Sequence, residues 1–289
     1  MPPPRFNIKS LIPSDINNIM SNLKLLFKHL LFSIVLYKVS LLISTNIKIA
    51  RLFTFITTIF IFYEFMSKKL MSSLSPFGIM KGLFIFVPVL LYTNYKYIFS
   101  VNSENIETKL FTTILAINIF LVSLMLCFNS NEKLSKLNGI YLIILALLTP
   151  KMYYNDKTEN IVFTNNKLWC ISYTIILLET YLFNNFYYKT NWRYPGLYSI
   201  IIPTIHSIVY NDIFLWFPLR LYSLIITFII MLKFPFIQNQ LSDKINSKIL
   251  WSTDKYDIVK SLFSIIELFI TFKLIKQGHK NTFLNYFYN

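Results

Sequence analysis

The chain is poor in glycine and cysteine, and each shortage excludes a class of structure. Only 5 of its 289 residues are glycine, too few for the many tight turns of an all-β domain. Its two cysteines, Cys127 and Cys170, lie in apolar runs and belong to no CxxC pattern or Cys/His cluster. The sequence therefore predicts neither a disulfide framework nor a metal site.

Charged residues are also scarce. They make up 14% of the chain, whereas hydrophobic residues make up 55% and the mean hydropathy is +0.52. A soluble domain of this length seals its core with far less apolar side chain. We therefore expect lipid to solvate most of the surface, which makes the chain an integral membrane protein.

Acidic residues are fewer than basic ones, with 13 Asp and Glu against 28 Lys and Arg. A net charge of +15 would indicate nucleic-acid binding in a soluble protein. Here the basic residues lie mostly between apolar runs, where they contact anionic lipid headgroups. We expect membrane lipids and other membrane proteins as partners, and no nucleic acid.

Motifs of soluble enzymes are missing as well. The sequence contains no GxSxG, HExxH, P-loop or GxGxxG pattern, each of which carries a defined catalytic or phosphate-binding geometry. The three histidines, His29, His206 and His279, lack the spacing of metal ligands. The sequence thus predicts no cofactor and favours a protein that is not an enzyme.

Long apolar runs are what the chain has in abundance. Crossing about 30 Å of hydrocarbon takes about 20 helical residues, and continuous rather than alternating runs favour helices. We predict an all-α, polytopic transmembrane helix bundle of seven to nine spans with no extramembrane domain. The nine candidate spans are residues 25–45, 47–66, 79–99, 110–128, 137–154, 168–188, 197–210, 213–237 and 258–275. The fifth and seventh are short and contain or adjoin prolines, which leaves the count open.

Three segments follow from this pattern. Residues 1–23 form a polar N-terminal lead-in, residues 24–276 form the bundle, and residues 277–289 form a short C-terminal tail. With nine spans, Lys and Arg are in excess on the side of the N-terminus. The positive-inside rule then predicts a cytosolic N-terminus; which membrane holds the protein does not follow from the sequence.

Three ionisable residues lie near the middle of later spans. They are Glu179, Arg220 and Glu267. A charge in hydrocarbon costs at least ~2.5–3.5 kcal/mol on insertion scales, so such residues face the bundle interior or water. The structural interpretation is that Arg220 pairs with Glu179 or Glu267 in a buried charge network. The functional alternative is a path for protons or other ions.

A second cluster of polar residues adjoins the seventh span. Trp192 and Tyr194 suit the headgroup belt, and Arg193 can reach phosphate. His206 follows within the span, and we expect Asp212 to cap the next helix. We interpret these five residues as an aromatic anchor or, alternatively, as a lipid-headgroup site.

Two function classes follow. The first is a transporter, a channel-like component or a structural subunit of a membrane assembly. The alternative is an intramembrane lipid-modifying enzyme that uses Arg193, His206, Asp212 and Arg220. A transporter should show paired broken helices around a water-lined cavity at the middle of the membrane. The enzyme should show those four residues together at one interface that is open sideways to lipid, and a structural subunit should show neither.

Overall fold

The computed structural model describes residues 14–66, 104–129, 133–155, 160–163, 166–183, 193–234, 253–278 and 282–284. Within them the chain is mostly helical. The helices are α1 (Ser14–Thr45), α2 (Ile47–Met66), α3 (Glu104–Asn129), α4 (Lys133–Leu147), α5 (Lys167–Phe183), α6 (Arg193–Val209), α7 (Trp216–Lys233) and α8 (Thr253–Gln277). This confirms the predicted helical class. The candidate span at residues 79–99 and the headgroup residue Trp192 lie outside the described residues.

The region after α4 differs from the prediction. The fifth candidate span was expected to continue to residue 154, but α4 ends at Leu147 and an antiparallel hairpin follows, with strands β1 (Met152–Asn155) and β2 (Asn160–Phe163). Pro150 lacks an N–H donor, and a helix rarely continues past such a residue. Aromatic and β-branched residues on either side of a polar turn then favour strand pairing.

Helix α5 lies at the centre of the bundle. It packs against α4, α6 and α8, while α1 packs against α2, α6 and α7, and α3 packs against α4. The main apolar core joins α3, α4 and α5 to residues of α6, α7 and α8. Most described side chains of α5 are buried or half-buried, whereas the apolar side chain of Ile171 is exposed. Protein therefore encloses most of this helix.

Two glycines permit close helix contacts. A Cβ atom at Gly196 of α6 would overlap the ring of Tyr181 on α5. A Cβ atom at Gly139 of α4 would meet Ser123 O of α3 at 2.9 Å. Small residues at helix crossings are typical of membrane bundles, where backbones approach closely because apolar burial alone gives little attraction between helices.

Three polar residues organise the helix starts and their connections. Asn46 Oδ1 accepts a hydrogen bond from Ile49 N at the start of α2, and Asn166 Oδ1 accepts one from Trp169 N in α5. Asp212 Oδ1 accepts from Phe214 N at 2.9 Å in the turn that leads into α7. Asp212 therefore orders the turn before α7. It does not cap the helix as the sequence predicts, because Leu215 is the N-cap residue and no side chain caps it.

Residues 282–284 return to the end of α4. Phe283 N donates to Thr149 O at 2.8 Å, and Leu284 N donates to Leu147 O at 3.1 Å. The last carbonyl groups of a helix have no partner within it. The tail thus satisfies backbone acceptors at and just beyond the end of α4.

Apolar side chains cover much of the outer surface. Two described helices are long and apolar enough to cross a bilayer by length and composition, at Leu23–Thr45 and Thr108–Phe128. Shorter apolar helices lie at Gly196–Val209 and Trp216–Ile230. The outward face of α8 exposes Ile258, Leu262, Ile265, Ile266, Leu268, Phe269, Phe272 and Ile275.

Candidate functional site

Helix α8 buries four polar residues and exposes most of its large apolar ones. Its buried face carries Lys260, Ser264, Glu267 and Thr271, spaced by four, three and four residues. That spacing places them along one side of a helix. Glu267 is 0% exposed, so the charge at the middle of α8 faces the interior of the bundle, as predicted.

Glu267 meets a polar face of α5. Its Oε2 atom accepts a hydrogen bond from Ser172 Oγ at 2.7 Å. Glu179 follows Ser172 by seven residues, which is two helical turns along the same face, and it is also buried. The two carboxyl groups are close enough for their charges to interact, and both interact with Tyr141 of α4.

We call Tyr141, Ser172, Glu179, Ser264 and Glu267 the carboxylate cluster. Tyr141 Oη donates to Ser264 O at 3.5 Å, which ties α4 to α8. Among the residues that the structure describes, Glu267 Oε1 and Ser264 Oγ have no hydrogen-bond partner. Buried polar atoms are usually satisfied in proteins, and these two are among several in the described residues that are not.

Arg220 lies on a different side of α5. It is 8% exposed. Its Nη2 atom donates to Tyr173 Oη at 3.1 Å, and its Nη1 atom donates to Ser199 O at 3.5 Å. The guanidinium group also stacks over two aromatic rings, at 4.9 Å from the Tyr173 centroid and 5.6 Å from that of Trp216. Such contacts stabilise a cation without a carboxylate.

We call Trp169, Tyr173, Ser199, Trp216 and Arg220 the arginine box. The rings of Trp169 and Tyr173 are stacked with centroids 5.1 Å apart, and Trp216 meets both of them edge-on.

Two threonines fix the position of the third ring. Trp216 Nε1 donates to Thr204 Oγ1 at 3.1 Å, and Thr204 is hydrogen-bonded to Thr174 at 2.8 Å. The box is therefore held rigidly by side chains of α5, α6 and α7.

The structure brings the charges of Glu179 and Glu267 within electrostatic range of each other, and it gives Arg220 other hydrogen-bond partners. Among the described residues, the bonds of Arg220 go to a hydroxyl and a carbonyl oxygen, not to Glu179 or Glu267. All three residues are buried. The direct ion pair of Arg220 with either carboxylate stays a prediction that these contacts do not support.

The five residues of the predicted headgroup cluster are not all gathered at one place. Arg193 begins α6 and His206 lies near its other end, so about 20 Å of helix separates them. Asp212 is close enough to His206 for an electrostatic interaction. Arg220 belongs to α7 and its side chain is buried. Arg193 and Tyr194 are the first two residues of α6, and the structure describes their backbone alone. Two residues of the enzyme alternative, Arg193 and His206, therefore lie at opposite ends of α6.

Helices α1 and α6 share two histidine–tyrosine pairs that the sequence alone does not reveal. His29 Nδ1 is hydrogen-bonded to Tyr198 Oη, and eight residues later Tyr37 Oη is hydrogen-bonded to His206 Nδ1 at 3.0 Å. The equal spacing on both helices means that they run parallel in a fixed register. We assign these pairs a structural role, because each joins the same two helices.

The remaining chemistry of the described residues is limited. Within the ranges given above, no three His, Cys, Asp or Glu side chains are grouped as metal ligands would be. Cys127 is a half-buried free thiol and Cys170 is a buried one. Comparison of the chain with protein-family models, curated proteins and solved structures finds no match, so the site must be interpreted from its own geometry.

Proposed function

We propose that this chain is a polytopic integral membrane protein that moves a cation, first of all the proton, across a bilayer. The observation that carries the proposal is the carboxylate cluster, in which the buried carboxyl groups of Glu179 on α5 and Glu267 on α8 interact electrostatically. Ionisable groups at membrane depth are costly and typically mark ion or proton pathways. Carboxyl and hydroxyl groups are the side chains that bind and release protons along such a pathway.

The membrane part of the proposal is supported by the distribution of side chains on α8. This helix buries a lysine, a serine, a glutamate and a threonine while it exposes isoleucine, leucine and phenylalanine. Water would favour the opposite arrangement, because exposed apolar surface costs about 25 cal/mol per Å². Exposed apolar faces of this size mark contact with lipid or with other proteins.

The finer topology completes the proposal. Seven to nine crossings with a cytosolic N-terminus agree with the apolar runs and the excess of basic residues near the N-terminal side. Lipids are the expected partners of the outer faces, and other membrane proteins are expected in addition. The protein is proposed to act without a cofactor and without enzymatic chemistry.

The experiment is proton flux into liposomes that contain the purified full chain. A potassium gradient with valinomycin sets the membrane potential, and a trapped pH-sensitive dye reports the flux. We expect flux above that of protein-free liposomes. Glu267→Gln keeps the shape of the side chain but cannot bind a proton as a carboxylate does, so the flux should fall to the protein-free level.

Glu64→Gln is the matched control. Glu64 is also a buried carboxylate, but it lies on α2 and pairs with Lys233 of α7, away from the carboxylate cluster. This variant should retain the flux of the unmodified protein. Equal flux through Glu267→Gln and the unmodified protein would contradict the proposal. Protein-free flux from the folded, unmodified protein would also contradict it and would favour a structural subunit.

A further inference from the structure

We infer that the arginine box binds the carboxylate group of a monovalent organic anion, and that this anion is a second substrate beside the proton. The inference gives the proposed function a substrate class and rests on it in that respect. Binding itself can be measured without transport. Three properties of Arg220 carry the inference: its charge, its unused donors and its aromatic surroundings.

The charge of Arg220 calls for an anion. A guanidinium group stays protonated in proteins, and a buried charge needs a counter-charge or water. The hydrogen bonds of Arg220 to the described residues go to the neutral oxygens of Tyr173 and Ser199. The cation–π contacts lower the cost of burying the cation, but among the described residues no hydrogen bond pairs it with a carboxylate. An anion from outside the chain would supply that counter-charge.

Donors remain for such an anion. Arginine carries five N–H groups in a planar fork, and those two bonds occupy two of them. The fork matches the two oxygens of a carboxylate, which gives short and strong charge-assisted bonds. Tyr173 Oη accepts from Arg220, so its own hydrogen is available to donate to the same anion.

The aromatic surroundings select the rest of the ligand. Tyr173 and Trp216 flank the guanidinium group, and Trp169 stacks on Tyr173. Aromatic walls favour an apolar or aromatic body over a strongly hydrated one. The single positive charge of Arg220 balances one carboxylate, whereas a phosphate dianion needs a second cation. We therefore favour a small organic monocarboxylate over phosphate.

The position of the box lets the protein hold a proton and an anion at the same time. The carboxylate cluster and the arginine box lie on two faces of one helix, at the neighbouring positions Ser172 and Tyr173. Proton flux driven by the membrane potential does not require the anion, so the two sites can be tested separately.

Calorimetric titration of the detergent-purified full chain tests the inference, with benzoate as the probe and benzamide as its neutral counterpart. We expect saturable binding of benzoate and none of benzamide. Arg220→Met should abolish the binding. Arg220→Lys, which keeps the charge but loses the fork, should weaken it roughly 10- to 100-fold, as the loss of a charge-assisted hydrogen bond does. Tryptophan fluorescence gives a second readout, because Trp169 and Trp216 line the box.

Arg51→Met is the control for charge removal. Arg51 is exposed on α2, so this variant should bind benzoate as the unmodified protein does. Should Arg220→Met fail to fold, Arg220→Lys and Tyr173→Phe decide the question.

Equal binding of benzoate and benzamide would overturn the inference, as would unchanged benzoate affinity in Arg220→Lys and Tyr173→Phe. Binding of inorganic phosphate in place of benzoate would also overturn it. Benzoate binding without proton flux would support the anion site and refute the proposed function. Proton flux without benzoate binding would support the proposed function and refute the anion site.

Discussion

The two polar faces of α5 hold opposite charges by different means. On one face Glu267 accepts a hydrogen bond from Ser172 and lies near a second carboxyl group. On the other, Arg220 lies beside the rings of Tyr173 and Trp216. A carboxylate needs donors, which a small hydroxyl side chain supplies, whereas a planar guanidinium group is stabilised by π-faces. One helix can therefore hold both signs because adjacent residues point about 100° apart.

This difference shows why the charges need not form a pair. A direct ion pair in a low-dielectric interior is strong and rigid, and removing one partner leaves the other stranded. Separation by α5 gives each charge its own surroundings. The carboxylate cluster and the arginine box can then each exchange a ligand without disrupting the other.

The largest effect is expected when the aromatic support of the arginine box is removed. Trp216 is 1% exposed and contacts both Arg220 and Thr204. Trp216→Ala should lower the free energy of unfolding by about 3–5 kcal/mol, the usual cost of truncating a large buried aromatic residue. Equilibrium unfolding in mixed detergent micelles measures it.

Trp216→Phe serves as the control, because it keeps an aromatic ring beside Arg220 while it loses the bond to Thr204. It should cost clearly less than Trp216→Ala. Equal losses of unfolding free energy in the two variants would show that the ring contact with Arg220 contributes little. The idea that aromatic rings stabilise the charge on this face of α5 would then be wrong.

A double-mutant cycle compares the two charges directly. Ser172→Ala and Glu267→Leu should be coupled by roughly 1.5–3 kcal/mol, because leucine cannot accept the hydrogen bond that Ser172 donates to the charged or strongly polar carboxyl group. Arg220→Met and Glu267→Gln should show coupling near zero, because no contact joins them among the described residues. Strong coupling in the second cycle would restore the ion pair that the sequence predicts.

The smallest expected effect compares two tyrosine hydroxyl groups. Tyr173 Oη accepts from the charged Arg220 at 3.1 Å, whereas Tyr141 Oη donates to Ser264 O at 3.5 Å. Tyr173→Phe should therefore destabilise the protein by roughly 1 kcal/mol more than Tyr141→Phe, since bonds to charged groups contribute more. The same unfolding measurement ranks the two variants, and the reverse order would mean that the arginine box depends on stacking alone.

Most helices could be predicted from the sequence. The run at 47–66 coincides with α2 (Ile47–Met66), because a long apolar segment in a low-charge sequence allows few alternatives. The hairpin after α4 was missed, because strands of four residues carry too little periodicity to compete with a neighbouring apolar run.

The site was predictable only in part. The burial of Glu179, Arg220 and Glu267 follows from the cost of charge in hydrocarbon. The residues that contact these three cannot be predicted in the same way. Helix periodicity shows which residues share a face, but it does not show which helix packs against that face. The seven-residue spacing of Ser172 and Glu179 indicates a shared face of α5, and this signal was available. The role of Tyr173 as a partner of Arg220 depends on the packing of α6 and α7 and has no sequence signal.

The bonds between residues 282–284 and the end of α4 set an order of events during synthesis. The carbonyl groups of Leu147 and Thr149 are made long before Phe283 and Leu284, which satisfy them. At ordinary rates of translation the delay is on the order of ten seconds. During this delay the two carbonyl groups lack their native partners. Lipid, water or the insertion machinery must contact the end of α4 in the meantime. The native bundle can close only after residue 284 has emerged.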